Sequence, residues 1–218
     1  MRINKTDVKF LIFTIAILFP IFYAVTAIHE IGHAIVDLSY GCKNLQIKLY
    51  PIWQKIWGTE ECLDKGWYSN NEKWYSNMPI TQIILLESGG ALITLFIGTI
   101  FLYIFNSIST KKVNKLILLS LFWFATSNLL SAIWGQIFIG SFPPGSDIKI
   151  GINYFGWNQN LIIVIGFVLT VMILYPISKS FKRMLKIIEP GIKDRKIKIV
   201  LAMFYSLLGI FSLVFILI

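Results

Sequence analysis

The chain has 218 residues, of which 56% are hydrophobic and 14% are charged. A soluble domain carries roughly 25% charged residues, so the composition excludes an ordinary soluble domain and indicates a protein built for the lipid bilayer. The net charge of +9 does not indicate nucleic-acid binding, because the basic residues cluster at the ends of apolar runs, where they can meet phospholipid headgroups.

The first apolar run extends from about Val8 to Leu38. As a helix it would be about 45 Å long, which exceeds the ~30 Å hydrocarbon slab, so it must tilt, kink at Pro20 or protrude. It is too long for a cleavable signal peptide, and it carries both histidines of the chain. We therefore expect it to form the first transmembrane helix.

The last third of this run contains the sequence His29-Glu30-Ile31-Gly32-His33. Residues four apart lie one turn apart on the same helix face, so His29 and His33 can bind one metal ion. Glu30 points to a neighbouring part of the surface, where it can accept a proton from a metal-bound water. The pattern is typical of zinc hydrolases. The alternative is a histidine pair that only packs a helix interface, but ionisable groups inside membrane helices are costly and usually functional.

A polar, aromatic loop covers residues 41–80. Within it, residues 46–50 alternate in polarity, which predicts a short strand that ends at Pro51. Cys42 and Cys62 lie in the same loop. They can form a disulfide if the loop lies outside the cell, and they are ordinary thiols otherwise.

Four further apolar runs predict crossings at about 81–105, 113–139, 160–177 and 199–218, with a basic loop from 179 to 198. Proline and glycine at 143–145 break the third crossing's helix just before Asp147. The expected fold class is all-α: a polytopic transmembrane helix bundle of about five crossings, with a short strand-like loop after the first. A single integral membrane domain should span 1–218, with a catalytic core at about 20–150 and C-terminal helices at 160–218.

Five crossings place fourteen of the twenty Lys and Arg residues on the side that holds the N-terminus. The positive-inside rule then makes that side cytoplasmic. His29, His33 and Asp147 all fall towards the other side. Residues that share a site must lie towards the same side of the membrane, and these three do so whichever side is the cytosol.

A catalytic zinc ion needs three protein ligands and one open position for water. The chain has no third histidine, so a carboxylate or a cysteine must complete the set. Asp147 is preferred because it follows broken backbone on the same membrane side. Glu87 is its rival, either as a ligand or as a group that orients one. Asp37 lies about 12 Å along the helix from His29, too far for one ion, and Cys42 is a weaker candidate.

The stretch from His29 to Ala34 resembles the first motif of the site-2 protease family of intramembrane zinc metalloproteases, including the glycine before the second histidine and the alanine after it. Later residues look like a diverged form of the family's second motif, namely Asn128, Pro143, Pro144 and Asp147. Gly89 and Gly90 resemble the small pair that opens the family's intervening helix. The resemblance covers about residues 20–150.

The resemblance implies hydrolysis of peptide bonds within or near the bilayer, with Zn²⁺ held by His29, His33 and Asp147 and with Glu30 as general base. Glu87, Asn128, Gly89 and Gly90 would act as supporting or substrate-binding residues, although Asn128 can equally form a helix–helix hydrogen bond. The substrate would be a membrane protein or peptide that unwinds, and the 46–50 strand could pair with it. Family members usually keep the site towards the cytosol, opposite to the side that the charge count favours.

A competing interpretation is a non-catalytic membrane protein that retains the metal-binding helix. A transporter is not favoured, because neither internal symmetry nor a pathway of ionisable groups is visible in the sequence. A histidine-box oxygenase would need many more than two histidines.

Overall fold

The computed structural model describes residues 5–49, 58–62, 67–68, 80–109, 113–142, 146–189 and 200. In chain order its elements are helix α1 (Lys5–Ser39), strands β1 (Leu45–Leu49), β2 (Gly58–Cys62) and β3 (Trp67–Tyr68), helices α2 (Ile80–Ser107) and α3 (Lys115–Leu129), a π-helix (Leu130–Phe138), a 3₁₀ turn (Ile139–Ser141), and helices α4 (Asp147–Phe155) and α5 (Gln159–Ile188). The predicted all-α bundle with a short strand segment is confirmed.

Four helical segments in the described ranges are long and apolar enough to cross a membrane: Ala16–Ser39, Ile80–Ser107, Lys115–Ser141 and Gln159–Ile188. They correspond to the first four predicted crossings and indicate a membrane protein. The fifth predicted crossing, 199–218, lies outside the described residues except for residue 200, and the predicted helix break at 143–145 lies outside them entirely. α4 has nine residues and is too short to cross.

A small antiparallel sheet packs against α1, with its strands in the order β1-β2-β3. β1 lies within one residue of the predicted strand, whereas β2 and β3 were not predicted. The disulfide between Cys42 and Cys62 joins the residues just after α1 to β2, with 5.9 Å between the two Cα atoms. The pairing that the sequence left open is therefore formed, and it ties the sheet to the end of the motif helix.

α1 and α2 approach each other closely at two facing glycines. A Cβ atom on Gly89 would lie 2.8 Å from the carbonyl oxygen of Gly32, and a Cβ atom on Gly32 would overlap the Gly89 carbonyl. Small residues allow the backbones of membrane helices to come this near. The crossing brings the α2 segment from Leu86 to Gly90 beside the two histidines.

The apolar core lies where the end of α2, the start of α3 and the end of α5 meet. Its buried members are Phe105, Leu118, Leu119, Phe122, Phe181, Met184 and Leu185. Arg183 donates hydrogen bonds to the carbonyl oxygens of Asn106 and Ile108. These bonds satisfy backbone groups that a helix end leaves without partners.

α5 is longer than the fourth predicted crossing, to which it corresponds. That prediction ended the fourth crossing at about 177 and began a loop at 179, but the helix continues to Ile188. The prediction is wrong here because Phe181, Met184 and Leu185 bury one helical face in the core. The basic residues between them are good helix formers, so charge does not end the helix.

The third crossing changes from α-helix to π-helix at Leu130. π-Helical turns are rare and frequently occur at functional sites. This segment of nine residues leads, through the 3₁₀ turn, towards the start of α4. It therefore shapes the end of the bundle at which Asp147 lies.

Candidate metal centre

The two histidines of the motif lie one turn apart on α1 and are both buried. His29 is 5% exposed, His33 is 3% exposed and Glu30 between them is 4% exposed. Each buried polar group needs a partner, since water cannot supply one there. The two imidazoles contact each other, Asp147 of α4 and the Leu86 carbonyl of α2, whereas Nδ1 of His29 has no hydrogen-bond partner among the described residues.

Asp147 meets both histidines. Its Oδ2 atom lies 3.1 Å from Nε2 of His29 and 3.3 Å from Nε2 of His33, and the two Nε2 atoms are 3.0 Å apart. Asp147 is the first residue of α4, directly after the N-cap Ser146. A carboxylate is favoured at that position by the positive end of the helix dipole.

The spacing of these three atoms suits a single metal ion. Ligands placed 2.0–2.1 Å from a tetrahedral zinc ion lie about 3.3 Å from one another, close to the three separations observed. Two imidazole nitrogens and one carboxylate oxygen are also a donor set that zinc accepts in catalytic sites, with a fourth position left open. Among the described residues, His29, His33 and Asp147 are the group of metal-binding side chains that converges in this way.

The hydrogen bond at the other ring nitrogen of His33 supports the same conclusion. Nδ1 of His33 lies 2.5 Å from the carbonyl oxygen of Leu86, which can only accept, so Nδ1 carries the proton. A neutral His33 then presents an Nε2 lone pair towards the carboxylate of Asp147. Two acceptors 3.3 Å apart require a cation between them, and a bound metal ion or a shared proton would satisfy both.

Gly90 of α2 forms the wall behind His29. A Cβ atom on Gly90 would lie 2.5 Å from Nδ1 and 2.6 Å from Nε2 of His29, well inside van der Waals contact. Glycine is therefore required for the ring to occupy its position. Gly89 instead faces Gly32 at the helix crossing.

The environment of Asp147 keeps its carboxyl group ionised. Burial alone would raise the pKa of Asp147, but the positive charge that His33 carries when both of its ring nitrogens are protonated, and the hydrogen bonds with both histidines, lower it more, so the pKa lies below its usual range. The side chain is 27% exposed, in contrast to the histidines. The centre is therefore open on the Asp147 side.

Glu30 lies in the same buried stretch but outside the convergent group. It follows His29 directly, so helix geometry turns its side chain about 100° from that of His29 and about 60° from that of His33. This placement puts the Glu30 side chain on a neighbouring part of the helix surface.

The rival ligands lie elsewhere. Glu87 is half-buried on α2 and lines, with Asp147, a cavity of about 130 Å³. Asp37 is fully buried but does not belong to the convergent group. The sulfur of Cys42 is bonded to Cys62 and is therefore not available as a thiolate ligand. The structure thus brings Asp147, and not Glu87, to the histidines.

Asn128 is fully buried between α2 and α3. Its side-chain nitrogen donates a hydrogen bond to the carbonyl oxygen of Phe124 in its own helix, at 2.9 Å. It packs at Gly98, whose added Cβ atom would lie 3.0 Å from Cβ of Asn128. Gly98 is two turns from Gly90, about 12 Å deeper along α2. The role in substrate binding suggested for Asn128 stays a prediction.

Two supporting features were not anticipated from the sequence. The Leu86 carbonyl that orients His33 is a backbone group and leaves no mark in the residue type. Gly32 carried a signal, since a glycine inside a transmembrane helix marks a close approach, but its partner Gly89 could be identified only from the packing of the two helices.

In comparisons with known proteins, no protein-family model, no curated protein and no solved structure shows significant similarity to the chain.

Proposed function

We propose that the protein is a membrane-embedded zinc metalloprotease of the site-2 protease type, which hydrolyses peptide bonds of membrane proteins within or near the bilayer. The observation that supports this most strongly is the meeting of His29, His33 and Asp147, from helices far apart in sequence, with Glu30 buried beside them. A structural histidine pair would not require a third, ionised ligand from another element at metal-ligand spacing.

The three converging groups would hold the metal ion, and Leu86 would fix the orientation of His33. Zinc at this position would supply a Lewis acid that activates water and polarises the scissile carbonyl. Because His29 and His33 are almost fully buried and Asp147 is partly exposed, water and substrate would approach from the Asp147 side.

Glu30 would move the proton. It accepts a proton from the attacking water as the oxygen bonds to the carbonyl carbon, and it returns that proton to the amine nitrogen as the C–N bond breaks.

The peptide must be extended at the cleaved bond, because a helical amide is shielded by its own hydrogen bonds. β1 lies at one edge of the sheet and packs next to α1. It pairs with β2 on one side, and an extended substrate chain would add to the sheet at its other edge. The sheet would thus hold an unwound segment close to the metal centre.

The decisive experiment replaces Glu30 by Gln, which keeps the shape of the side chain and removes its basicity. We expect zinc to be retained and cleavage of a model transmembrane peptide to fall at least ~10²-fold. Glu189→Gln, at the end of α5, is a matched control that should keep full activity.

Each result of this experiment separates the proposal from its alternative. Unchanged cleavage by Glu30→Gln would contradict the role of Glu30. Zinc bound at one ion per chain, with no cleavage by the wild type, would favour the non-catalytic metal-binding protein instead.

A further inference from the structure

A cavity of about 130 Å³ lies directly beside the metal centre. Asp147 belongs to its lining, so the cavity borders the candidate metal centre at this residue. The rest of the wall comes from α2 and from the π-helix, with Ile148 of α4 next to Asp147. A ligand in the cavity would therefore be held against the reacting centre.

The wall is predominantly apolar. Ala91 and Leu95 of α2 face Ala132 and Ile133 of the π-helix across the cavity. Burying an apolar side chain against such a wall is favourable by about 0.8 kcal/mol per methylene. A charged side chain is disfavoured there, because an apolar wall cannot replace the water that solvates it, and the carboxylate of Glu87 in the lining adds to this for an acidic occupant.

The size of the cavity suits one side chain. A dry cavity of about 150 Å³ is large enough for a benzene ring, whereas sites for whole small-molecule ligands measure about 300–1,000 Å³. A cavity of about 130 Å³ therefore fits a branched aliphatic side chain such as leucine.

The cavity can be reached from the lipid. Leu92 belongs to its lining and is also 54% exposed on the outer surface of the bundle. A side chain of a membrane-embedded peptide would thus enter from the hydrocarbon region without crossing a polar surface.

Resting on the proposed function, we propose that this cavity binds the apolar side chain of a substrate residue next to the scissile peptide bond and so selects substrates with a leucine-like residue there. The π-helix widens the third crossing at the level of Ala132 and Ile133 and so builds one wall of this specificity pocket.

The test uses full-length protein and a series of model transmembrane peptides that differ only at the residue next to the cleaved bond, which is first located by mass spectrometry. The residues compared are alanine, leucine and glutamate. We expect kcat/KM for the leucine peptide to exceed that for the alanine peptide by at least about tenfold, with the glutamate peptide poorest.

Two variants should shift this preference in opposite directions. Ala91→Leu fills the cavity and should remove the advantage of leucine over alanine, while Leu95→Ala enlarges it and should favour a larger residue such as phenylalanine. Ala16→Leu and Leu116→Ala make the same changes at exposed positions outside the cavity, and both should leave the preference as in the wild type.

A binding measurement separates this inference from the proposed function. Glu30→Gln should bind the leucine peptide more tightly than the alanine peptide without cleaving it, and Ala91→Leu in that background should abolish the difference. Cleavage or binding without a preference for leucine, or a preference unchanged by Ala91→Leu, overturns the specificity pocket alone. If the wild type cleaves no peptide but the protein still binds the leucine peptide more tightly than the alanine peptide, only the proposed protease function is overturned.

Discussion

His33 uses its two ring nitrogens for different partners. Nδ1 donates to the carbonyl oxygen of Leu86, and Nε2 faces the Asp147 carboxylate. Metal-binding histidines are commonly fixed in this way, since a hydrogen bond at one nitrogen sets the lone pair of the other. The buried imidazole of His33 is therefore oriented before any ion arrives.

We predict that His33→Ala lowers bound zinc from about one ion per chain to near zero. The chain contains no histidine other than His29 and His33, so no other imidazole can replace the lost ligand. The measurement is metal analysis of purified protein, together with the thermal stability of the zinc-free form. Equal zinc content in variant and wild type would contradict the site.

We predict that Asp147→Asn weakens zinc binding at least about tenfold, because loss of a ligand should cost no less than loss of a group that only orients one. Glu87→Gln is the matched control, since Glu87 lines the same cavity but lies outside the convergent group. Competition with a zinc chelator measures both. Weaker binding in Glu87→Gln and normal binding in Asp147→Asn would reverse the assignment.

At the scale of whole elements, the crossing of α1 and α2 positions the candidate metal ligands His29 and His33. Gly32 and Gly89 bring the backbones together, and one residue further along Gly90 leaves room for the His29 ring. The position of His29 thus depends on Gly90, a residue of another helix that has no metal-binding side chain.

We predict that Gly90→Ala weakens zinc binding, because its Cβ atom would occupy the space of the His29 ring. Overpacking typically costs about 1–3 kcal/mol. Gly151→Ala is the matched control, since a Cβ atom there would make an ordinary contact with Trp157 at 3.8 Å. Chelator competition and thermal unfolding should show losses for Gly90→Ala alone; equal behaviour of the two variants would contradict this account.

The elements also show how far sequence reasoning extends. The spacing of His29 and His33 is local, so helix geometry alone predicted that both could bind one ion. The approach of Asp147 to them depends on packing between distant segments, and it was anticipated only through ligand chemistry and membrane sidedness. The π-helix and the cavity beside it were not predicted, since apolar periodicity does not distinguish π-helical from α-helical turns over so short a segment.

The molecule as a whole has two distinct ends. The metal centre, the sheet and the disulfide lie at the end where α1 finishes and α2 begins, whereas the core around Phe105 and Phe181 lies at the opposite end of the bundle. Fourteen of the twenty Lys and Arg residues belong to the segments assigned to that opposite side. The charge bias favours a cytoplasmic position for the end around Phe105 and Phe181. The disulfide favours a position outside the cytoplasm for the metal-centre end, because disulfides persist in oxidising compartments.

We therefore predict that the metal-centre end of the molecule lies outside the cytoplasm. In a background with Cys42→Ser and Cys62→Ser, the chain has no other cysteine, so one introduced cysteine reports one side. Lys43→Cys, next to the sheet, should react with a membrane-impermeant thiol reagent on intact cells. Ser107→Cys, at the other end of α2, should react only after the membrane is opened, since both positions are exposed on the protein surface.

The opposite labelling pattern would place the metal centre towards the cytosol, as is usual in the site-2 protease family. The positive-inside rule would then have failed for this chain, and Cys42 and Cys62 would face a reducing compartment, where a disulfide is rarely stable. The wild-type protein supplies an independent check, because the disulfide between these two residues should change its mobility on a non-reducing gel when reductant is added. Reduced cysteines in protein taken directly from cells, together with labelling of Ser107→Cys from outside, would overturn the predicted orientation while leaving the arrangement of His29, His33 and Asp147 untouched.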